Sequence, residues 1–244
     1  SFDIPGGITE ASSGNYVFAG FNSNALPPFY SNVVELDVSG NVVWAKNYTS
    51  GLVLEISDIK TLSTGDYIVS GASAEATLMN LDALGNMNWG FEYGFLTATS
   101  SYTSRVKATS DGGYVVAGSV KGYDPGGTVS SGDSSNIYIF KTNSSGTALW
   151  KKVLFVDVDN DHSVNDVAEV ADGYIFVGRV SESGVVNNEE GDGIILKTDF
   201  NGVIQWFLKY GDAGIHEEFN SAETLSNGEV LIGGNYLGRG PEPN

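Results

Sequence analysis

One pattern recurs along the whole chain and limits what the chain can fold into: a Gly-containing turn, a short apolar strand and a closing Gly. Each copy has the composition of a β-hairpin, with turn residues flanked by β-formers. Self-similarity at a spacing of roughly 50 residues indicates a tandem array of one β unit. Four copies open on Tyr and a fifth opens on Glu, at Tyr16–Gly20, Tyr67–Gly71, Tyr114–Gly118, Tyr174–Gly178 and Glu229–Gly233.

A second motif, [DN]-x-x-G-x-x-x-W, recurs four times and contains all four tryptophans of the chain. Asp or Asn caps a type I turn, and Gly takes the left-handed position that follows. The Trp then lies on the strand that leaves the turn, where we expect it to pack between adjacent units, and we expect the repeated Tyr to pack as well. The copies are Asp37 to Trp44, Asp82 to Trp89, Asn143 to Trp150 and Asp199 to Trp206.

The two motifs together predict four antiparallel strands, A to D, in each unit of an all-β fold. In the fourth unit these are Asn165–Ala171, Tyr174–Val180, Gly193–Thr198 and Val203–Tyr210. Four-stranded units at this period are typical of the blades of a β-propeller, and a β-sandwich is the alternative. We predict one propeller domain over residues 1–244, with blades at about 5–50, 52–95, 102–156 and 164–211 and a half blade at 218–236.

The fifth unit contains only strands A and B, and Ser1–Ile4 could add one strand at most. An open half blade exposes an unpaired strand edge, which proteins rarely leave bare. Two explanations stand: the chain is a fragment of a larger propeller, or another subunit completes the blade by strand addition.

Length variation is concentrated in the connection between strands B and C. From each Trp to the next closing Gly there are 27–29 residues, whereas from closing Gly to Trp there are 18–32. Because strands alternate in direction, the B–C and D–A connections lie on the same face. Loops on a rigid scaffold are where function usually resides, so we expect that face to carry it.

The third and fourth units resemble the repeat of bacterial and archaeal secreted β-propellers, through Asn136–Gly146, Trp150 and Asp172–Gly178. The resemblance implies a propeller in an extracellular or cell-surface setting and brings no catalytic residues. The pattern is also similar to pyrroloquinoline-quinone-type propeller repeats. Those have one more residue between Asp and Gly, so that cofactor is not carried over.

Charge and composition exclude several classes of function. With 30 acidic and 12 basic residues, the net charge of −18 disfavours binding to nucleic acid. The absence of Cys excludes disulfides and thiolate zinc sites. No apolar run approaches the roughly 20 residues of a membrane span, so membrane insertion is not expected.

Ca²⁺ is the one cofactor that the sequence suggests, because its preferred ligands are carboxylate and carbonyl oxygens. Asp157, Asp159 and Asp161 form a D-x-D-x-D run between the third and fourth units, which matches the start of a calcium loop. The run departs from the EF-hand pattern, with His162 at the Gly position and Ala168 at the position of the bidentate Glu. A solvated acidic loop is the alternative.

Two B–C loops contain further candidates for binding. Tyr123 and Asp124 have the chemistry of a glycan-binding patch, and Glu189, Glu190 and Asp192 form an acidic cluster. A plain surface loop explains either one. The sequons at Asn47 and Asn143 permit N-glycosylation.

These features predict a non-catalytic extracellular or cell-surface module that binds a protein or glycan through its variable loop face. The alternative is a structural subunit of a surface layer or filament, in which copies of the chain complete one another's blades. A third hypothesis is a carbohydrate-active enzyme that uses acidic residues. No catalytic residue can be assigned, because the separation of a carboxylate pair is not readable from sequence.

Overall fold

The computed structural model describes residues 3–22, 30–48, 55–72, 75–94, 100–122, 135–154, 160–182, 191–211 and 216–237. Over these ranges every regular element is a β-strand, and there is no helix. The prediction of an all-β chain is confirmed. Within the same ranges, no helix has the length and apolarity to cross a membrane.

Within these ranges eighteen strands form four four-stranded sheets and one two-stranded sheet, and the strand pairs of the first, second, fourth and fifth sheets are antiparallel. In sequence order the sheets are β1–β4, β5–β8, β9–β12, β13–β16 and β17–β18, and each strand is hydrogen-bonded to its neighbour in the chain. The strands are β1 Asp3–Glu10, β2 Tyr16–Asn22, β3 Tyr30–Leu36, β4 Val42–Tyr48, β5 Glu55–Thr61, β6 Tyr67–Ala72, β7 Ala76–Leu81, β8 Met87–Glu92, β9 Ser100–Ala108, β10 Tyr114–Lys121, β11 Ser135–Thr142, β12 Ala148–Leu154, β13 Asn160–Val170, β14 Gly173–Glu182, β15 Asp192–Thr198, β16 Ile204–Tyr210, β17 His216–Thr224 and β18 Val230–Leu237.

Each sheet is a blade with the predicted order A, B, C, D, and the last is the predicted half blade. Asp3 and Ile4 lie in strand A of the first blade. One expectation about strand A was wrong. Strand A of the fourth blade begins at Asn160 instead of Asn165. A β-bulge between Val164 and Asp166 breaks the two-residue period, and pairing continues beyond it.

By contact density the chain divides into two compact units, and the third blade contributes strands to both. The first unit is Ser1–Leu96, Ser100–Val116 and Lys141–Leu149, and the second is Thr97–Thr99, Ala117–Phe140 and Trp150–Asn244. Each unit has its own apolar core. The first packs Val17, Ile59, Val69 and Met79 together, and the second packs Ala168, Val177 and Ala222. That the chain is a single domain stays a prediction.

The turns between strands C and D form as the motif predicts. In the first blade, Asp37 Oδ1 accepts hydrogen bonds from the backbone N–H groups of Ser39 and Asn41, both at 2.8 Å. Gly40 then adopts a φ of 83°, which a side chain would disfavour. Hydrogen bonds from Asn41 are the largest cause that lowers the pKa of Asp37.

Inside the third and fourth blades, a buried Lys on strand C neutralises the Asp of the A–B turn. Lys141 Nζ lies 2.9 Å from Asp111, and Lys197 Nζ lies 2.6 Å from Asp172. Burial alone would raise the pKa of Asp111, but hydrogen bonds from Thr109, Gly113 and Lys141 outweigh it and lower the pKa to about 2.

This shift predicts a pH dependence of stability. The pKa of Asp111 is lowered on folding from 3.8, so its stabilising contribution is complete above that value and is lost as the pH falls toward about 2. Because the side chain is 58% exposed, screening limits the contribution to about 1 kcal/mol. The free energy of unfolding, measured by urea denaturation between about pH 5 and pH 2, should therefore fall less steeply with decreasing pH in Asp111→Asn than in the native chain. Identical slopes would contradict this.

Candidate binding site at the open blade

The first three tryptophans of the repeat make one contact in common. Each indole lies against the Gly of the next blade's C–D turn, and a Cβ on that Gly would come within 2.6 to 3.1 Å of the ring. Each indole also lies 6.1 to 6.4 Å, centroid to centroid, from the Tyr that opens strand B of that blade. The expected packing between blades is therefore confirmed for these three. The sets are Trp44 with Gly85 and Tyr67, Trp89 with Gly146 and Tyr114, and Trp150 with Gly202 and Tyr174.

In the first two blades a second docking residue, which the repeated motifs do not predict, lies four positions after the Trp. Tyr48 donates its hydroxyl to the carbonyl oxygen of Gly85 at 2.7 Å, and Tyr93 does the same to Gly146 at 2.6 Å. Burial is the largest cause that raises the pKa of both hydroxyls, which keeps them protonated as donors. The signal that could have revealed this role is the repeat W-x-x-x-Y, which also occurs as Trp206 to Tyr210.

The fourth blade carries the same docking residues but has no turn against them in the described residues. Trp206 is 42% exposed, Leu208 52% and Tyr210 68%. The next strands, β17 and β18, pair with each other in a two-stranded sheet, and an isolated parallel bridge joins His216 to Gly191. Within the described residues the predicted packing between blades is therefore not seen for Trp206, because the contact needs a C–D turn from the following blade.

A groove of about 580 Å³ opens beside this strand, at the ends of β16 and β18 and the start of β17. The ring of Tyr210 lies 6.2 Å from that of Phe219 on the adjacent strand, so the groove has an aromatic wall. We call this surface, together with Trp206 and Leu208, the open-blade site. The groove is lined by Lys209, Tyr210, Gly211, Glu217, Phe219, Gly234, Asn235 and Tyr236.

Charged groups lie at one end of the open-blade site, at the D–A connection. The carboxylates of Asp192 and Glu217 both lie against Gly211, so close that a side chain there would collide with Asp192. Lys209 Nζ lies 3.4 Å from Asp192 Oδ2. The backbone N–H of Glu217 donates to the carbonyl of Gly191 at 2.8 Å, which ties the half blade to the fourth blade.

Of the residues predicted for binding, Asp192 lies at the margin of this groove. Tyr123, Asp124, Glu189 and Glu190 lie outside the described residues. The open-blade site is at the end of the blade where the D–A connection lies, which is the face expected to carry function.

The calcium prediction rests mainly on undescribed residues, since Asp157 and Asp159 fall among them. Asp161 is described, and its Oδ1 accepts a hydrogen bond from the backbone N–H of Ser135 at 2.7 Å. Among the described parts of the chain, no group of three or more His, Asp or Glu side chains is placed to hold a metal. Calcium binding stays a prediction.

Both sequon asparagines are described. Asn47 is exposed near the end of β4. Asn143 caps its own turn, with its Oδ1 accepting from the backbone N–H groups of Ser145 and Thr147 at 3.1 and 2.9 Å. Glycosylation at either residue stays a prediction.

No protein-family model matches the sequence, and no curated protein does. Solved structures do match. A Dyadobacter fermentans protein of unknown function has a TM-score of 0.65 at 11% identity, covering 94% of this chain and 74% of that one. The Dos1 propeller has a TM-score of 0.55 at 10% identity, covering 98% and 59%. This chain has a β-propeller fold.

A third match is the alpha-L-arabinanase of Penicillium chrysogenum, solved with arabinobiose, with a TM-score of 0.58 at 12% identity, covering 94% of this chain and 77% of that one. At 10 to 12% identity these likenesses establish the fold alone. They include an enzyme and a protein of unknown function, so they decide nothing about catalysis. The predicted kinship with secreted bacterial and archaeal propellers is supported as far as the propeller fold.

Proposed function

We propose that this chain is a non-catalytic extracellular or cell-surface propeller module that binds a polypeptide segment from outside residues 1–244 at its open-blade site. The observation that carries the proposal is the exposure of Trp206 and Tyr210. The equivalent pair in the second blade, Trp89 and Tyr93, lies against a turn of the neighbouring blade. A surface that repeats a docking contact and exposes large apolar side chains has the properties of an interaction site.

The chemistry of the site favours a polypeptide over a glycan. In the second blade, where the equivalent Trp and Tyr are covered, they contact the backbone of a β-turn, as Tyr93 does with the Gly146 carbonyl. Strand β18 adds a strand edge, whose backbone groups can pair with an incoming strand by β-augmentation. Fully burying one large apolar side chain contributes about 1.5–3 kcal/mol, and three such side chains are available. After the cost of ordering a short peptide, this corresponds to affinities of roughly micromolar to millimolar.

The extracellular or cell-surface setting is part of the proposal and is supported by the resemblance of the repeats to those of secreted propellers. The acidic surface, with a net charge of −18, supports a protein partner over nucleic acid. Recognition through the undescribed B–C loops, including Tyr123 and Glu189, would extend the same face.

Hydrogen exchange of the full chain tests this proposal with a probe taken from the chain itself. The probe is a peptide of residues 136–151, which carries the C–D turn of the third blade, closed by a disulfide between added terminal cysteines. Closure is needed because an isolated hairpin is only marginally stable in water. We expect saturating peptide to slow exchange of the Val230–Leu237 amides by about tenfold and to leave β2 and β3 unchanged.

A cyclised peptide with the same residues in scrambled order is the matched control and should protect nothing. Unchanged exchange in β18 at millimolar probe would contradict the proposal, as would protection that the scrambled peptide reproduces. Hydrolysis of a polysaccharide by the chain, lost in Asp192→Asn, would contradict its non-catalytic part.

A further inference from the structure

The position two residues after each repeated Trp varies together with the first residue of the turn that docks there. Lys46 follows Trp44 and faces a turn that opens on Asp82, and Lys152 follows Trp150 and faces a turn that opens on Asp199. In the second blade the position is Phe91, and the turn that docks against it opens on Asn143. Lysine is thus paired with an acidic turn, and an apolar residue with a neutral one.

The contacts explain the two lysine junctions. The aliphatic stem of Lys46 lies against Gly85, and its Nζ donates to Asn86 Oδ1 at 3.2 Å, at the far end of the turn. Asp82 is held by hydrogen bonds from Asn86, which are the largest cause that lowers its pKa, and the charge of Lys46 adds to them. A lysine at this position therefore compensates the carboxylate of the incoming turn.

The apolar junction is built differently. The Phe91 ring stacks on Trp89 at 5.6 Å between centroids, and its edge lies where a Cβ on Gly146 would be only 2.9 Å away. The turn above it opens on Asn143, whose amide oxygen caps the turn without a charge. An Asp in place of Asn143 would bring a carboxylate to a surface that has no cation at the Phe91 position.

The open-blade site has the pattern of the second blade. Leu208 stands where Phe91 does, and Tyr210 stands where Tyr93 does. The first residue of a docked turn also comes close to the Tyr, since the charge of Asp82 acts on the Tyr48 hydroxyl after burial in raising its pKa. At the open-blade site the corresponding Tyr210 lines a groove together with Glu217 and with Lys209, whose Nζ already lies 3.4 Å from Asp192 Oδ2.

We propose that the open-blade site selects a β-hairpin from outside residues 1–244 whose turn opens on Asn, in the form Asn-x-x-Gly, and discriminates against Asp-x-x-Gly. The inference rests on the proposed function and adds the identity of the recognised turn. Leu208 supplies no cation for an acidic turn, and its apolar side chain suits a neutral one. The Tyr210 hydroxyl can donate to the glycine carbonyl of either kind of turn, as Tyr48 and Tyr93 do.

Four affinities test the preference. The cyclised 136–151 peptide and its Asn143→Asp variant are each titrated against the native chain and against Leu208→Lys. We expect the native chain to bind the Asn peptide about tenfold more tightly than the Asp peptide. In Leu208→Lys the order should reverse by a similar factor, and the gain for the Asp peptide should shrink as salt is raised.

The substitution replaces a half-exposed side chain on the outermost strand, and an unchanged melting temperature would show that the variant folds. Equal affinity of the native chain for both peptides, or an unchanged preference in Leu208→Lys, would overturn the inference. If hydrogen exchange still showed peptide bound at β18, the proposed function would survive that result. Binding of neither peptide would contradict both proposals. Self-association of the native chain that Leu208→Lys abolishes would assign the site to a second copy of residues 1–244 and contradict the proposal.

Discussion

Replacing Trp89 with alanine should lower the free energy of unfolding by about 3 kcal/mol, whereas the same change at Trp206 should cost less than about 1 kcal/mol. The Trp89 indole contacts Gly146, Phe91 and Tyr114, so its removal leaves a cavity between the second and third blades. Trp206 is 42% exposed and contacts no following turn in the described residues, so there is little packing to lose.

The pair is a matched comparison, because both residues occupy the same position of the same motif. Urea denaturation of the two variants and the native chain measures the difference, with an unchanged m-value as evidence that the denatured states are comparable. Equal losses for the two variants would contradict the argument, since Trp206 would then have a contact that its exposure does not indicate.

Replacing Asp58 with alanine should destabilise the chain by about 3 kcal/mol. Asp58 is only 2% exposed, and its carboxylate accepts hydrogen bonds from the backbone N–H of Ile59 at 2.9 Å and of Val106 at 3.2 Å. The second bond joins strand A of the second blade to strand A of the third. Alanine would leave two buried backbone donors without their acceptor, which costs more than the bonds contribute when made.

Lys60→Met is the control for this prediction. Lys60 Nζ lies 2.9 Å from Asp58 Oδ1, but the lysine side chain is 41% exposed, so its loss should cost no more than about 1 kcal/mol. Hydrogen exchange should localise the effect of Asp58→Ala to β5 and β9. If Lys60→Met lowered the free energy of unfolding as much as Asp58→Ala, the ion pair alone would account for the loss. That result would contradict the role assigned to the backbone donors.

The repeated turns made the blade architecture predictable, because a turn residue such as Asp37 or Gly40 acts on its own few neighbours. The limits of strand A were less predictable. At Asn165 one extra residue enters the strand as a bulge, and no composition rule marks where pairing resumes. Strands β6 and β7 are buried along their whole length, including the polar residues Ser70, Thr77 and Asn80.

The candidate site was less predictable, because its features depend on neighbours in space. Trp206 is identical in motif to Trp89, yet only the presence of a following turn decides whether the ring is buried. The link from Asp58 to Val106 spans 48 positions and joins two blades. Of the predicted binding residues that are described, only Asp192 lies at the groove, since its place at the start of strand C brings it beside Gly211.

The residue two positions after each Trp that contacts a following blade matches the turn of that blade: Lys46 faces a turn that opens on Asp82, and Phe91 faces one that opens on Asn143. This match has a consequence for how such arrays evolve. A gene duplication that inserted the third blade directly after the first would set Lys46 against the neutral turn of Asn143. The duplicated blade would bring its own C–D turn but not the D strand of the preceding blade, against which that turn packs. Recombination should therefore be tolerated best when the exchanged segment runs from one D strand through the next C–D turn. The heritable unit of this array is then the junction between two blades, and not the blade.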